Sequence, residues 1–281
     1  EGYSVSIVYC LFLTESDDNH GRDGTEYIIG MFANIDARNL HFPKCEIIIY
    51  HDDSIPIEFL QAYESCSNVT CIEIRDERTK LKRGHVGFFL AMARYKAILE
   101  LQSDVILFRD ADLELTRLDA ECVGKWLSNN DHSIHRYFDS DTNWPLTGGA
   151  FGVRLNSISK TDFQSIYDGF IDKELKCQNP DLKHLTEALH IEQQRTPFTY
   201  YVDQRFLYKV VEEMFNNALE KFALTHQVSF EPQPGKLSFN EVHNIVIPQK
   251  ISTFRNYIVK KYKWITSEHR TKILNNKKLN L

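Results

Sequence analysis

The 281-residue sequence has no excess of positive charge, since 33 Lys and Arg stand against 39 Asp and Glu, for a net charge of −6. That balance disfavours nucleic acid as the main partner, because such partners are bound through basic surfaces. No apolar run reaches the roughly 20 residues that span a bilayer, so the sequence predicts no transmembrane segment. The opening residues EGYSVSIVYCLFL contain no basic stretch before their apolar run, and we expect no signal peptide there.

Paired cysteines are also missing. The six cysteines form no C-x-x-C pair and show no zinc-ligand spacing. Cys10 and Cys45 lie in or beside apolar runs that read as buried strands. For a chain of this length we therefore expect reduced thiols and a cytoplasmic protein rather than a disulfide framework. With 42% hydrophobic and 26% charged residues, and with no repeat or low-complexity linker, the composition is that of an ordinary globular protein.

The chain does contain a regular alternation of apolar strands and helices. Strands are predicted at 4–13, 45–53, 68–76 and 104–108, and helices at 25–38, 54–65 and 84–102, the second of these with Ser54 near its cap. Such alternation predicts an α/β fold with a mostly parallel sheet. Later patterns predict a helix at 119–129, a strand near 132–138, a glycine-bearing strand or turn at 146–154, and helices at 159–176, 182–194 and 203–221.

The stretch VILFRDADLELT, at 105–116, places two carboxylates directly after a buried strand. Ligands of open α/β sheets bind beyond the carboxyl ends of the strands, which is where Asp110 and Asp112 fall. Two oxygen ligands on a turn suit Mg²⁺ or Mn²⁺, and a metal there would neutralise a diphosphate leaving group. The plainer alternative is that Asp110 caps a turn and Asp112 is solvated.

This stretch resembles the D-x-D region of GT-A glycosyltransferases, which use nucleotide sugars, and is most similar to small enzymes from chlorella-infecting viruses and bacterial polysaccharide loci. Other segments in the same order carry the resemblance: GFFLAMARYKAIL, Trp126-Leu127, LTGGAFGVR and YYVDQRFLYKV. Leu113 and Tyr137 depart from the pattern, which bears on the donor sugar more than on the fold. The resemblance implies one GT-A domain over 1–281, with a Rossmann-like sheet and a helical C-terminal part. Residues 1–112 would bind the nucleotide sugar and residues 113–281 the acceptor.

The implied function is metal-dependent transfer of glucose, xylose or a similar sugar from a UDP-sugar to a hydroxyl of a growing glycan, with Mn²⁺ or Mg²⁺ as cofactor. The resemblance also implies a virus-encoded enzyme in the host cytoplasm. One alternative is a non-catalytic module that binds a nucleotide sugar or a glycan. Another is a D-x-D phosphatase of the haloacid-dehalogenase type, although Glu114 stands where that class has Thr or Val and three strands precede the motif.

The resemblance assigns roles to individual residues. Asp112 would be the main metal ligand, and Asp110 would bind the metal, the ribose or the donor sugar. Arg94 would lie near the donor or brace the D-x-D residues. Tyr9 and Leu11, at the end of the first strand, would belong to the wall of a nucleobase pocket. The pair Gly148 and Gly149 would let the backbone approach the donor sugar closely, the alternative being a plain turn.

The C-terminal part supplies the remaining candidates. Asp203 opens a predicted helix, where it would either cap the helix or act at the acceptor face. As a catalytic residue it would deprotonate the acceptor hydroxyl if the reaction inverts configuration, or orient the acceptor if it retains. His226 and His243 are each eligible to complete the metal shell, the alternative being a structural histidine. The basic stretch 255–278 would either touch an anionic membrane surface or pack on the domain as a terminal helix.

Overall fold

A computed structural model of the chain describes residues 2–13, 25–75, 87–113, 115–128, 133–136, 146, 148–177 and 202–214. Strands and helices alternate in the first part of the chain, as the sequence predicts. The strands are β1 (Val5–Leu11), β2 (Glu46–His51), β3 (Val69–Glu73) and β4 (Val105–Arg109). The helices are α1 (Thr25–His41), α2 (Ile57–Glu64), α3 (Gly87–Ala93) and α4 (Ala97–Glu100).

The later elements add two strands to the same sheet and cover it with helices. They are α5 (Arg117–Ser128), β5 (Ile134–Arg136), β6 (Ala150–Arg154), α6 (Lys160–Cys177) and α7 (Val202–Met214). Strands from both predicted halves of the chain thus pair in one sheet, although the division into a donor half and an acceptor half stays a prediction.

Among the described residues, the sheet has the order β3-β2-β1-β4-β6-β5. The first four strands run parallel to one another, whereas β6 runs antiparallel to both β4 and β5. The chain winds outward from β1 through β2 to β3 and then returns to place β4 on the other side of β1. Such a reversal leaves a crevice at the carboxyl ends of β1 and β4, where open α/β sheets bind their ligands. The predicted α/β fold with a mostly parallel sheet is confirmed.

Alternate residues of the central strands face two separate apolar layers. Ile7 of β1 and Leu107 of β4 pack with residues of α1, α2 and α5 on one face. Val8 and Phe108 pack with residues of α3, α4, α6 and α7 on the other. Both faces are covered, which explains the near-continuous apolar sequences of these strands. In the described parts of the chain, no helix has the length and apolar character to cross a membrane.

One local prediction is wrong. The helix expected over 84–102 is not continuous, because a 3₁₀ turn at Arg94–Lys96 separates α3 from α4. Arg94 and Tyr95, the first two residues of this tighter turn, are both buried. Ser54 lies near the start of α2, as predicted, two residues before Pro56, which precedes the first helical residue. The Ser54 hydroxyl accepts a hydrogen bond from the backbone amide of Leu13, 2.7 Å away, and so ties the end of β1 to the loop after β2.

Candidate functional site

The turn after β4 leaves both of its aspartates partly exposed. Ala111, Leu113 and Leu115 are buried, whereas Asp110 and Asp112 keep part of their surface exposed. The backbone amide of Leu113 donates to the carbonyl of Asp110 at 3.1 Å and closes the turn. The buried residues of this segment thus alternate with the two partly exposed aspartates. We refer to residues 110–112 as the D-x-D turn.

Arg94 joins the D-x-D turn to the first turn of α7. Its Nη1 donates to Asp110 Oδ1 at 2.5 Å, and its Nη2 donates to Asp203 Oδ2 at 3.2 Å. The Arg94 side chain is 4% exposed, that of Asp203 13% and that of Asp110 39%. Burial alone lowers the pKa of Arg94, but neighbouring Tyr95, Asp110 and Asp203 raise this pKa well above its usual value. Arg94 is therefore a fixed positive charge between two carboxylates.

A cluster of buried aromatic rings holds α7 against the sheet at this point. The ring of Tyr95 lies 5.2 Å from Phe108 of β4, 6.1 Å from Phe151 of β6 and 5.5 Å from Phe206 of α7. Phe206 also contacts the rings of Phe163, Tyr167 and Phe170 in α6. Each such ring contact adds to the stabilisation from burial alone. The cluster explains how Asp203 reaches Asp110 across 93 residues of sequence, with Arg94 between them.

Asp203 lies inside α7 rather than before it, because the helix begins at Val202. Its carboxylate pairs with Arg94, and its place in the first helical turn is one where the helix dipole favours a negative charge. The structure thus brings together three residues that the sequence singles out: Arg94, Asp110 and Asp203. Of the two roles predicted for Arg94, bracing the D-x-D residues matches the observed contact with Asp110, and contact with a donor stays a prediction.

Arg109, the residue before the turn, points to the face of the sheet that α5 covers. Its guanidinium makes two hydrogen bonds to the carboxylate of Asp119 in α5, at 3.1 and 2.9 Å, and donates to the carbonyls of Phe108 and Phe151. Both side chains of this ion pair are 1% exposed. Sequence reasoning missed Asp119, although an Arg in a buried strand is itself a signal that a carboxylate partner is needed.

Gly149 lies directly against Asp110. A Cβ atom on this residue would overlap the carboxyl carbon of Asp110 and both of its oxygens. Gly149 is buried in the turn before β6, and β6 pairs with β4 so that Ala150 is opposite Arg109. The absence of a side chain at position 149 therefore leaves room for the carboxylate of Asp110. Contact of Gly148 and Gly149 with a donor sugar stays a prediction.

Tyr9 and Leu11 are fully buried in the layer between the sheet and α1. Burial raises the pKa of the Tyr9 phenol, so this hydroxyl is neutral at physiological pH. The partly exposed residues at this end of β1 are Cys10, Phe12 and Leu13. A role for Tyr9 and Leu11 in a nucleobase pocket stays a prediction. Because both side chains are buried, a base would first contact the partly exposed Cys10, Phe12 and Leu13.

Residues 25–178, more than half of the chain, match glycosyl transferase family 2. The chain belongs to glycosyl transferase family 2. The matched range of this family 2 domain contains Arg94, the D-x-D turn and Gly149, whereas Asp203 lies beyond it. With the observed sheet, family membership supports the GT-A form of the α/β fold that the sequence predicts. No curated protein shows a significant match to the sequence.

Several solved structures are similar to this family 2 chain. The apo form of the glycosyltransferase GlyE from Streptococcus pneumoniae TIGR4 shares 14% identity over 85% of the chain, with a TM-score of 0.45. The galactosyltransferase LgtC, in complex with donor and acceptor sugar analogues, shares 10% identity over 73%, with a TM-score of 0.43. Glucosyl-3-phosphoglycerate synthase from Mycobacterium tuberculosis, with Mn²⁺ and UDP-glucose, shares 15% identity over 56%, with a TM-score of 0.37. The chain spans 55%, 70% and 57% of their respective lengths.

Several predicted residues of the family 2 chain lie outside the described residues. They are His226, His243 and the basic stretch 255–278. In the described ranges no three side chains of the His, Cys, Asp or Glu type are grouped as a metal site. Asp110 and Asp112 are thus two candidate ligands, and the predicted histidine ligand stays a prediction.

Proposed function

We propose that this family 2 chain is a metal-dependent glycosyltransferase that moves a sugar from a UDP-sugar to a hydroxyl of a growing glycan. The observation that carries the proposal is the array of Asp110, Arg94 and Asp203 at the carboxyl end of β4, beside the crevice where the strand order reverses. Family membership supplies the class of reaction, and the array supplies charged groups at the place where α/β sheets bind ligands.

The D-x-D turn fits a divalent cation by the chemistry of its donors. Asp110 and Asp112 offer carboxylate oxygens from partly exposed positions in a closed turn, and oxygen donors of this kind suit Mg²⁺ and Mn²⁺. Arg94 holds Oδ1 of Asp110 and thereby orients this carboxylate. A bound cation supplies charge stabilisation for the UDP leaving group. We assign Asp112 as the main ligand, Asp110 as the second, and His226 or His243 as the candidate third.

Asp203 is the proposed catalytic residue, and its pairing with Arg94 is compatible with both of its predicted roles. If Asp203 takes a proton from the acceptor hydroxyl, Arg94 remains paired with Asp110, so the buried guanidinium keeps a counter-charge. If Asp203 instead orients the acceptor or flanks the donor sugar, Arg94 fixes the direction of its carboxylate. Both stereochemical outcomes, inversion and retention, remain open under this proposal.

The finer parts of the proposal concern substrates and setting. We propose UDP-glucose, UDP-xylose or a similar UDP-sugar as the donor, and a glycan as the acceptor. A virus-encoded enzyme in the host cytoplasm, with a weak membrane contact through residues 255–278, completes the proposal. The five free cysteines in the described part of the chain agree with a reducing setting, and burial raises the pKa of each of these thiols.

The experiment is a panel of UDP-sugars with Mn²⁺, read first by thermal shift and then by release of UDP. A donor that binds should raise the melting temperature in proportion to its affinity, and UDP should appear only when Mn²⁺ is present. The double variant Asp110→Asn/Asp112→Asn should lose more than about 100-fold of this activity, because the proposed ligand set is removed. As the matched control, Glu121→Gln removes a carboxylate from the exposed ion pair with Arg117 and should leave the activity unchanged.

The same panel separates the alternatives. A UDP-sugar that binds without turnover would favour the non-catalytic module. Inorganic phosphate released from a phosphate ester, with no UDP released from any UDP-sugar, would favour the phosphatase, which family membership does not support. UDP release that survives the loss of both Asp110 and Asp112 would overturn the metal-dependent proposal.

A further inference from the structure

Asn34 is a fully buried polar residue on the apolar side of α1. Its neighbours in that layer include Met31, Phe32 and Ile35, which pack against the sheet. An amide placed among such side chains costs free energy unless its donors and acceptor are hydrogen-bonded. The contacts of Asn34 therefore indicate which feature of the fold this residue serves.

Two of the three hydrogen bonds of the Asn34 side chain reach the segment that contains the D-x-D turn. Nδ2 donates to the carbonyl of Ala111 at 3.2 Å, and Oδ1 accepts from the amide of Leu115 at 2.9 Å. Nδ2 also donates to the carbonyl of Gly30, one turn earlier in α1, at 3.0 Å. The last bond anchors the amide on its own helix, so the first two tie the segment 111–115 to α1.

The bond to Ala111 bears directly on Asp112. The carbonyl of Ala111 belongs to the planar peptide that leads into Asp112, so a hydrogen bond to this oxygen fixes the plane from which Asp112 departs. The peptide that follows Asp112 carries the amide of Leu113, which donates to the carbonyl of Asp110. Both peptide planes that flank Asp112 are therefore held, one by Asn34 and one by the turn itself.

We propose that Asn34 is a positioning residue that fixes the orientation of Asp112 and so sets the affinity of the D-x-D turn for its divalent cation. This inference rests on the proposed function, because it takes Asp112 to be a metal ligand. Groups that hydrogen-bond to metal ligands and orient them change the metal affinity by about 10–100-fold when they are removed. Asn34 acts here through the backbone, by holding the peptide that joins Ala111 to Asp112.

The experiment measures Mn²⁺ binding to the full chain by the electron paramagnetic resonance signal of free Mn²⁺, with UDP present. Asn34→Leu keeps the approximate volume of the side chain and removes both bonds to the segment 111–115. We expect the Kd for Mn²⁺ to rise about 10-fold or more. The apparent KM for Mn²⁺ in UDP release should rise by the same factor, with a smaller change in kcat at saturating Mn²⁺.

The matched control is Arg38→Met, on the same helix. Arg38 is also buried, but its guanidinium donates to the carbonyls of Cys45 and Ser67, outside the D-x-D segment. This variant should lose stability and keep the Kd for Mn²⁺ of the unchanged protein. A rise in Kd confined to Asn34→Leu supports the positioning role, whereas an equal rise in both variants overturns it.

The failure of this inference can be told apart from that of the proposed function. If the unchanged protein binds Mn²⁺ and Asn34→Leu binds it equally well, the role of Asn34 is wrong and the glycosyltransferase proposal stands. If the unchanged protein does not bind Mn²⁺, both are wrong. If Asn34→Leu does not fold, hydrogen exchange in the unchanged protein decides: a protected Leu115 amide supports the bond to Asn34, and exchange at the rate of an open turn overturns it.

Discussion

Replacing Gly149 by alanine tests the close approach between the turn before β6 and the D-x-D turn. The added Cβ would overlap the carboxyl group of Asp110, which is short and is held by Arg94. Either Asp110 rotates away from Arg94 or the turn before β6 shifts. Forcing an extra carbon into a filled space costs about 1–3 kcal/mol, and we expect the free energy of unfolding to fall by that amount.

A double-mutant cycle isolates the collision. In an Asp110→Ala background the carboxyl group is absent, so Gly149→Ala should cost less there than in the unchanged protein, and the two changes should be non-additive. Urea unfolding of the four proteins gives the coupling free energy. The same four proteins, titrated with Mn²⁺, show whether the displaced Asp110 also weakens the proposed metal site.

Gly124→Ala is the control for the change from glycine to alanine itself. Gly124 lies on the exposed side of α5, and a Cβ there meets nothing within 4 Å. Alanine at such a position should stabilise the protein by about 0.4–1 kcal/mol. If Gly149→Ala costs as much in the Asp110→Ala background as in the unchanged protein, the collision with Asp110 is not its cause and the reasoning fails.

Three further predictions concern charged and titratable groups. Arg94→Lys keeps the positive charge, but a lysine cannot bind Asp110 and Asp203 with two separate nitrogens as the guanidinium does. Mn²⁺-dependent UDP release should therefore fall at least about 10-fold. Unchanged release would show that the charge alone suffices. Asp119→Ala leaves the buried Arg109 without its counter-charge and should cost about 3–5 kcal/mol in urea unfolding, and more than the double change Arg109→Met/Asp119→Leu. Burial raises the pKa of Cys10 from 9.0 to about 12. Above pH 9 the folded chain therefore keeps a proton that the unfolded chain releases, so the free energy of unfolding should fall as the pH rises. Cys10→Ala should make that fall smaller.

The sequence predicts the sheet well because its signals are local. Each strand is a short apolar run and each helix has its own period, so the alternation is visible without knowledge of tertiary contacts. The place of Asp110 and Asp112 follows from the same pattern, since a turn after a parallel strand lies at the carboxyl edge of the sheet. The direction of Arg109 also follows from the two-residue period, because Val105 and Leu107 face the same layer.

Contacts between distant segments could not be predicted in this way. Arg94 and Asp203 are 109 residues apart, and their ion pair depends on how α7 packs against α3 and α6. Asn34 did leave a signal, namely a lone amide among the apolar residues of a predicted helix, but its partners are backbone groups that no sequence pattern marks.

The charges at this edge of the sheet predict how a divalent cation and a nucleotide diphosphate affect each other's affinity. Arg94 is already neutralised by Asp110 and Asp203, so it offers a diphosphate little net attraction. Asp112 is a further carboxylate in the same turn. A divalent cation bound at the D-x-D turn would add positive charge beside these carboxylates and so favour a nucleotide diphosphate there. Because coupling between two ligands is reciprocal, Mn²⁺ and UDP should raise each other's affinity by the same factor, and independent binding of the two would contradict this account of the site.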